Sequence, residues 1–175
     1  MKKVGKRKLE KMKHGILVVD DDGDIRRVLT EILEGEGYIV DSVGTGMEAV
    51  RKTEEKFYNI ALIDIKLPDM DGVELLTKIK ETKPKMRKVI ITGYPTLQNA
   101  VEALNKGADA YIMKPLDMDK MLATIKEQLE RQREEQEMTE KQLVTYIETR
   151  AKQIEKASKP KKKVKKQADN YLFIP

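Results

Sequence analysis

The chain has 175 residues, a formal net charge of +5, no cysteine and a single histidine, His14, in a lysine-rich segment. These features exclude a disulfide framework, a thiolate zinc site, Ser-His-Asp catalysis and multi-histidine metal chemistry. No stretch approaches the run of about 18 apolar residues that a membrane span needs, and the N-terminus lacks the apolar core of a signal peptide, so we expect a cytoplasmic protein.

The charges are unevenly distributed along the chain. Residues 1–14 carry seven Lys or Arg and one Glu, residues 15–117 carry 14 basic and 19 acidic groups, and residues 118–175 carry 14 basic and 10 acidic groups. An acidic body between basic ends differs from a uniformly basic nucleic-acid binder. We therefore do not expect nucleic acid to be a partner, although a DNA-binding regulator that uses the basic ends stays open as an alternative.

Short apolar runs alternate with amphipathic stretches from Ile16 to about Asp117. The runs predict strands at 16–19, 38–43, 60–65, 89–92 and 110–113, and the stretches between them predict helices at 25–34, 47–55, 72–80 and 97–106. Such an alternation predicts right-handed crossovers onto a parallel sheet with helices on both faces. The expected fold class is therefore α/β, a flavodoxin-like (βα)5 doubly wound sheet, with ligands at the carboxyl ends of the strands.

A long helix is predicted at 118–157, where the chain has no Gly or Pro and is rich in strong helix formers. Three apolar residues in helical register should pack it on the sheet: Leu122, Ile125 and Leu129. The same register then reaches Gln132, Gln136 and Thr139, so the pattern is too weak to indicate a coiled coil. Thr139 and the three residues after it fit a capping box, which favours a helix break there. The extension is either a solvated charged helix or a dimerisation or docking helix.

Polar side chains stand at the predicted carboxyl ends of four strands: Asp20, Asp21 and Asp22, then Asp64, Thr92 and Lys114. Adjacent strands lie about 4.8 Å apart, so these groups can converge on one small volume. Crowded carboxylates repel one another, and an all-oxygen site relieved by a divalent cation suits Mg2+. With a lysine nearby, it also suits phosphoryl transfer to a carboxylate. Asp22 and Asp24 precede a helix and are interpreted as caps.

Four segments resemble the response-regulator receiver domains of two-component systems, of the chemotaxis-regulator type. They are residues 16–22 (ILVVDDD), 61–72 (ALIDIKLPDMDG), 89–94 (VIITGY) and 107–115 (GADAYIMKP). They occur in the family's order and spacing, and the match covers about residues 15–130. The expected domains are a basic N-terminal tail at 1–14, a receiver domain at 15–130, a helical extension at 131–157 and a Lys-rich, disordered tail at 158–175.

The resemblance implies a role for each site residue. Asp64 would be the phosphoacceptor, and Mg2+ would be held by Asp21 directly, by Asp20 mainly through water, by Asp64 and by the backbone carbonyl of Lys66. Thr92 and Lys114 would contact phosphoryl oxygens, with a cis bond between Lys114 and Pro115. Tyr111 would be a switch that turns inward with Thr92, although a strand tyrosine also fits simple core packing. Gly93 would leave room for a donor histidine, and Lys66 and Tyr94 would occupy positions that tune hydrolysis of the acyl phosphate.

As a function, the resemblance implies a response regulator that receives a phosphoryl group on Asp64 from a histidine kinase or histidine phosphotransfer protein. Phosphorylation would repack the surface formed by the fourth helix, fifth strand and fifth helix. Output would then pass through a downstream protein, or through a homodimer formed by the fifth helix and its extension, because residues 118–175 fit no output domain.

Other functions remain as alternatives to this one. Apart from its own phosphorylation and dephosphorylation we expect no enzyme activity. One alternative is a haloacid-dehalogenase-type phosphatase. This class needs a second Asp two residues after its nucleophile, and Lys66 occupies that place here, which disfavours it. A degenerate receiver that acts as a binding scaffold is a further alternative.

Overall fold

The computed structural model describes residues 14–158, with side chains up to residue 155. Except for residues 14 and 158, the two predicted tails lie outside the described residues. The elements, in chain order, are β1 (Gly15–Val19), α1 (Gly23–Gly35), β2 (Ile39–Val43), α2 (Gly46–Glu55), β3 (Ile60–Asp64), α3 (Gly72–Lys78), β4 (Arg87–Thr92), α4 (Leu97–Asn105), β5 (Ala110–Met113) and α5 (Met118–Ser158).

The five strands form one parallel sheet in the order β2-β1-β3-β4-β5. The predicted doubly wound α/β fold with an extended C-terminal helix is thereby confirmed. The winding changes direction between β1 and β3, which are neighbours in the sheet, so the carboxyl ends of these two strands lie at the switch point where ligands bind in such folds. Asp20 follows one of these strands directly, and Asp64 ends the other.

The sheet is buried on both faces, which explains the continuous apolar runs of its central strands. Successive residues of a strand point to opposite faces. On β1, Leu17 and Val19 pack in one apolar cluster with residues of α2, α3 and α4, whereas Ile16 and Val18 pack in a second cluster with residues of α1 and α5. The two clusters hold the strand ends, and therefore the polar residues that follow them, in fixed positions.

Capping side chains set where the helices begin. Asp22 accepts hydrogen bonds from the amides of Asp24 and Ile25, which confirms it as the N-cap of α1. Asp24 lies instead in the first turn of that helix and pairs with Arg27, because a helix has one N-cap position and Asp22 occupies it. The helix ends at Gly35, and Gly37 follows with φ of 94°, a conformation that favours glycine.

The first part of α5 packs on the sheet as predicted. Ile125 is fully buried, Leu122 and Leu129 are partly buried against the same cluster, and Met121 is a further buried contact. Packing continues at the polar position Gln132, which is buried. Its amide donates to the carbonyl oxygens of Asn59 and Lys85 at 3.2 and 2.7 Å and accepts from the Asn59 side chain at 2.8 Å.

The predicted helix break at Thr139 is wrong, because α5 continues through this residue to Ser158. A capping box needs an extended backbone at the N-cap residue, and the strong helix formers on both sides of Thr139 favour continuing the helix instead. The described residues divide into two compact units, residues 14–136 and 137–158. In the second unit, the side chains of residues 137–155 are exposed. Within residues 14–158, no helix has the length and apolar character required to span a membrane.

Candidate functional site

The loop after β1 places two acidic residues at the carboxyl edge of the sheet. Asp20 is only 3% exposed, and Asp21 is exposed. The Asp20 carboxylate accepts a hydrogen bond from the Asp22 amide at 2.9 Å. Arg26 donates to the carbonyl oxygens of Asp20 and Asp21 at 2.6 and 3.0 Å. The guanidinium therefore holds the backbone of this loop, and both carboxylates stay directed towards the strand ends.

Asp64, at the end of β3, is 7% exposed and faces the Lys114 ammonium from the end of β5. The Lys114 Nζ lies 3.2 Å from Asp64 Oδ1 and 2.9 Å from Asp20 Oδ2, so it bridges the two buried carboxylates. Burial raises the pKa of the Asp64 carboxyl, and the Asp20 charge adds to the rise, while Lys114 and the nearby Lys66 amide oppose it.

The Lys114 ammonium is held in its charged form by the same carboxylates. Burial acts to lower its pKa, but the hydrogen bonds and charges of Asp20 and Asp64 raise it above the ordinary lysine value. The Lys114–Pro115 peptide bond is cis, as the resemblance implied, and Lys83–Pro84 is cis as well.

Three carboxylates of this site are close enough to hold one cation. Oxygen atoms of Asp20, Asp21 and Asp64 lie within 4.8 Å of one another. These carboxylates and the single Lys114 ammonium leave a net negative charge in a small, partly buried volume. An all-oxygen donor set of this kind fits Mg2+, and the exposed Asp21 leaves a side open to water and phosphate oxygens.

Thr92 and Tyr111 lie beside this cluster, on β4 and β5. Thr92 is 1% exposed, and its hydroxyl accepts a hydrogen bond from the Tyr94 amide at 3.0 Å. The Tyr111 hydroxyl is buried and, within the described part of the chain, has no hydrogen-bond partner. Burial raises its pKa, and the nearby Thr92 hydroxyl opposes the rise although the two groups do not meet hydrogen-bond geometry. The two side chains predicted to switch are thus neighbours.

The loop after β3 brings Lys66 to the edge of the site. Its ammonium lies 3.4 Å from the centre of the Tyr94 ring, a cation–π contact that joins the loops after β3 and β4. Its backbone forms an antiparallel bridge with Asp71, which caps α3 by accepting from the Val73 amide at 2.7 Å. The role of the Lys66 carbonyl as a metal ligand stays a prediction.

The sequence reasoning assigned no role to three residues that shape the site: Arg26, Asp69 and Gly72. Arg26 and Asp69 bind backbone groups, which leave no trace in a side-chain pattern. A Cβ on Gly72 would lie 2.0 Å from the Asp64 carbonyl oxygen, so only glycine lets α3 begin this close to the end of β3. The glycine directly after the capping residue Asp71 was the one available signal.

Comparison with known proteins agrees with this geometry. Residues 16–126 match the family model of the response regulator receiver domain. The transcriptional regulatory protein ZraR of Klebsiella oxytoca is 43% identical over 114 residues, which are 65% of this chain and 26% of that protein. The DNA-binding transcriptional regulator NtrC of Escherichia coli K12 is 36% identical over 133 residues, 75% of this chain and 28% of that protein.

A solved structure of a CheY-like receiver domain protein from Methanospirillum hungatei JF-1 is 50% identical, with a TM-score of 0.67, and the match covers 70% of this chain and 98% of that one. The chain therefore belongs to the response regulator receiver domain family, and it carries the receiver domain of a two-component response regulator, a phosphoacceptor signalling domain. It spans about a quarter of the length of ZraR and NtrC, so the regulatory activities in their names belong to those longer proteins.

Proposed function

We propose that this protein is a phosphorelay switch in which Asp64 is the phosphoacceptor. The observation that carries the proposal is the position of the Lys114 ammonium, within 3.2 Å of Asp64 and 2.9 Å of Asp20. One cation beside clustered carboxylates is the arrangement needed to bring an anionic phosphoryl group to a carboxylate nucleophile. The receiver domain at 15–130 carries this site, followed by the helical extension at 131–157.

The proposed resident ion is Mg2+, held by Asp21 directly, Asp20 mainly through water, Asp64 and the Lys66 carbonyl. When bound, it supplies positive charge that offsets the equatorial phosphoryl oxygens. The chain's own groups do the rest. Lys114 has three N–H donors and can contact a phosphoryl oxygen while still bound to Asp20. The Thr92 hydroxyl would donate to a second oxygen.

Asp64 reacts in its ionised form in the transfer step. One of its carboxylate oxygens forms a bond to phosphorus as the P–N bond of a phosphohistidine donor breaks. The departing histidine nitrogen takes the electron pair of that bond and is protonated from solvent. The donor we propose is a histidine kinase or histidine phosphotransfer protein in the cytoplasm, and Gly93 beside Thr92 leaves its imidazole room to approach. Hydrolysis of the acyl phosphate resets the switch, and we expect no turnover of unrelated substrates.

The readout proposed for the phosphate is a movement of Thr92 followed by Tyr111. A phosphoryl group carries about −1.5 to −2 charges and three acceptor oxygens. Charge-assisted hydrogen bonds of about 1.5–3 kcal/mol each are large enough, as a small set, to supply the about 5.5 kcal/mol that reverses a 1:99 equilibrium. The surface that would change includes exposed apolar side chains of α4 and β5: Leu97, Val101, Leu104 and Met113.

Output through protein contacts is the form of signalling that we propose. Three exposed apolar residues of α5, within the second unit of the chain, support the homodimer hypothesis because they recur at helical spacing: Val144, Ile147 and Ile154. Sedimentation equilibrium with and without phosphorylation tests it. DNA binding through the basic ends would appear in gel shifts at about 50 mM salt and weaken strongly at about 200 mM, because phosphate contacts are salt-dependent.

The experiment that tests the phosphoacceptor is intact-mass spectrometry after treatment with a small phosphodonor and Mg2+. We expect a Mg2+-dependent gain of one phosphoryl group in the wild type and in Asp22→Asn, since asparagine also caps helices. Asp64→Asn should show no gain. If the folded wild type binds Mg2+ but gains no mass, the protein is a degenerate receiver used as a scaffold.

A further inference from the structure

The loop between β3 and α3, residues 65–71, is attached at its tip to a neighbouring helix. The Asp69 carboxylate spans two amides at the start of α2, with Oδ1 2.9 Å from the Gly46 nitrogen and Oδ2 2.9 Å from the Met47 nitrogen. Both oxygens of one side chain are thus used to hold one helix end. Such a contact joins two consecutive βα units of the fold through a single residue.

The contact is charge-assisted and supported by apolar packing. The Gly46 and Met47 amides lower the pKa of the Asp69 carboxyl, so it is ionised at neutral pH. A helix N-terminus also favours a negative charge. Next to it, Met70 lies against Gly46 so closely that a Cβ there would be 2.5 Å from the Met70 sulfur. Polar and apolar contacts therefore hold the tip of this loop at the same place.

The base of the loop is joined to the phosphoacceptor. The Gly72 amide donates to the Ile65 carbonyl oxygen at 2.7 Å, and Lys66 and Asp71 form a backbone bridge. The Lys66 amide in turn lies close enough to the Asp64 carboxylate to lower its pKa. A displacement at Asp69 would therefore be transmitted through a short, closed loop to the backbone of Lys66, which lies next to the phosphoacceptor.

We propose that Asp69 is a positioning residue for the cation and phosphoryl chemistry at Asp64. By holding the tip of the loop against α2, it fixes the backbone of Lys66, whose carbonyl is a proposed metal ligand and whose amide orients the Asp64 carboxylate. This role rests on the proposed function. Groups that orient metal ligands from outside typically change metal affinity about 10- to 100-fold when removed, while leaving the ligands themselves in place.

The test compares Asp69→Ala and Asp69→Asn with a control at the same helix end. Thr45 caps α2 by accepting from the Glu48 amide at 3.2 Å, and among the described residues its side chain makes no hydrogen bond to the β3–α3 loop. Thr45→Ala therefore weakens the start of α2 without releasing the loop. Two readouts are measured for each protein: magnesium binding alone, followed by amide chemical shifts, and the initial rate of phosphorylation by a small phosphodonor against Mg2+ concentration. Hydrogen exchange of the Lys66 amide in EDTA adds a metal-free readout.

We expect Asp69→Ala to raise the Mg2+ concentration for half-saturation about tenfold, with the rate at saturating Mg2+ within about twofold of wild type and faster exchange at Lys66. The amide oxygen of Asp69→Asn can still accept one of the two hydrogen bonds, without the charge. Its Mg2+ concentration for half-saturation should therefore lie between those of the wild type and Asp69→Ala. Thr45→Ala should keep the wild-type half-saturation. Unchanged half-saturation in Asp69→Ala, or an equal change in Thr45→Ala, overturns the positioning role. A wild type that neither binds Mg2+ nor gains a phosphoryl group instead overturns the proposed function itself.

Discussion

Replacing Gly72 by alanine is the sharpest test of how the fold positions the phosphoacceptor. The added Cβ would lie 2.0 Å from the Asp64 carbonyl oxygen, 2.9 Å from the Asp64 carbonyl carbon and 2.9 Å from the Ile65 Cα. All three are backbone atoms, so no side-chain rotation can relieve the contact. Either the end of β3 or the start of α3 must move.

The distances give the size of the effect. Real Cβ atoms essentially never approach within 3.0 Å, so the backbone at Asp64 or Gly72 must shift by about 1 Å. Overpacking of this kind costs about 1–3 kcal/mol, occasionally more, which at about 3 °C per kcal/mol lowers Tm by roughly 3–9 °C. A misplacement of about 1 Å in a reacting group can reduce the rate about 100-fold. We therefore expect Gly72→Ala to remain folded but to be phosphorylated about 100-fold more slowly than the wild type.

Gly93→Ala is the matched control, since it adds the same methyl group on the other side of the site. There the Cβ would meet only Lys114 side-chain carbons, at 3.9 and 4.0 Å, which is ordinary contact. Both variants are compared by thermal unfolding and by the rate of mass gain with a small phosphodonor and Mg2+. Phosphorylation of Gly72→Ala within about threefold of the wild-type rate, well short of the expected loss, would contradict this role of Gly72, and so would an equal loss of stability in Gly93→Ala.

Two further variants test the energetics of burial. Because the folded-state pKa of Asp64 is raised, ionising this carboxyl at higher pH destabilises the fold. Asp64→Asn in EDTA should therefore have a higher Tm than wild type at pH 7, and the difference should disappear as the pH falls towards the ordinary carboxyl pKa of about 3.9. A lower Tm of the variant at pH 7 would contradict this. Gln132→Leu should lower the free energy of unfolding by about 2–4 kcal/mol, since it leaves the Asn59 side-chain amide and the Lys85 carbonyl oxygen without partners among the described residues, while the Asn59 carbonyl oxygen keeps the Arg87 amide. Denaturant unfolding measures this loss, and the exposed Gln142→Leu should stay within about 0.5 kcal/mol of wild type.

The fold could be predicted from the sequence because its central strands are continuous apolar runs, which are easy to recognise. Strands β1 and β3 are continuous apolar runs, as a sheet covered on both faces requires. At β4 the prediction began two residues late, because Arg87 and Lys88 are charged and yet buried. Both are paired across the fold, Arg87 with Asp109 at 3.0 Å and Lys88 with Glu81 at 2.8 Å. A pattern of apolar residues cannot reveal partners that only the tertiary structure supplies.

The polar residues of α5 also show that a sequence pattern does not reveal tertiary partners. Gln132 reads as a polar interruption of the apolar register, yet its partners are backbone and amide groups of Asn59 and Lys85, distant in sequence. The predicted break at Thr139 failed because a capping box is a local signal, and local signals lose to a helix that is favoured on both sides. The candidate site residues, in contrast, stand at the carboxyl ends of parallel strands. These ends lie at the same edge of the sheet, so predicting the strands is enough to bring the residues together.

The arrangement of charge explains why one lysine can serve two states of the site. In the structure the Lys114 ammonium divides its donors between Asp20 and Asp64, which balances part of the repulsion among Asp20, Asp21 and Asp64. Phosphorylation would transfer the negative charge of Asp64 outward to the phosphoryl oxygens and add about one further charge. The ammonium can follow that charge with its third donor while Asp20 still holds it. We expect the added charge to reach the Thr92 side of the cluster, near the Tyr111 hydroxyl, which is buried and has no hydrogen-bond partner within the described part of the chain.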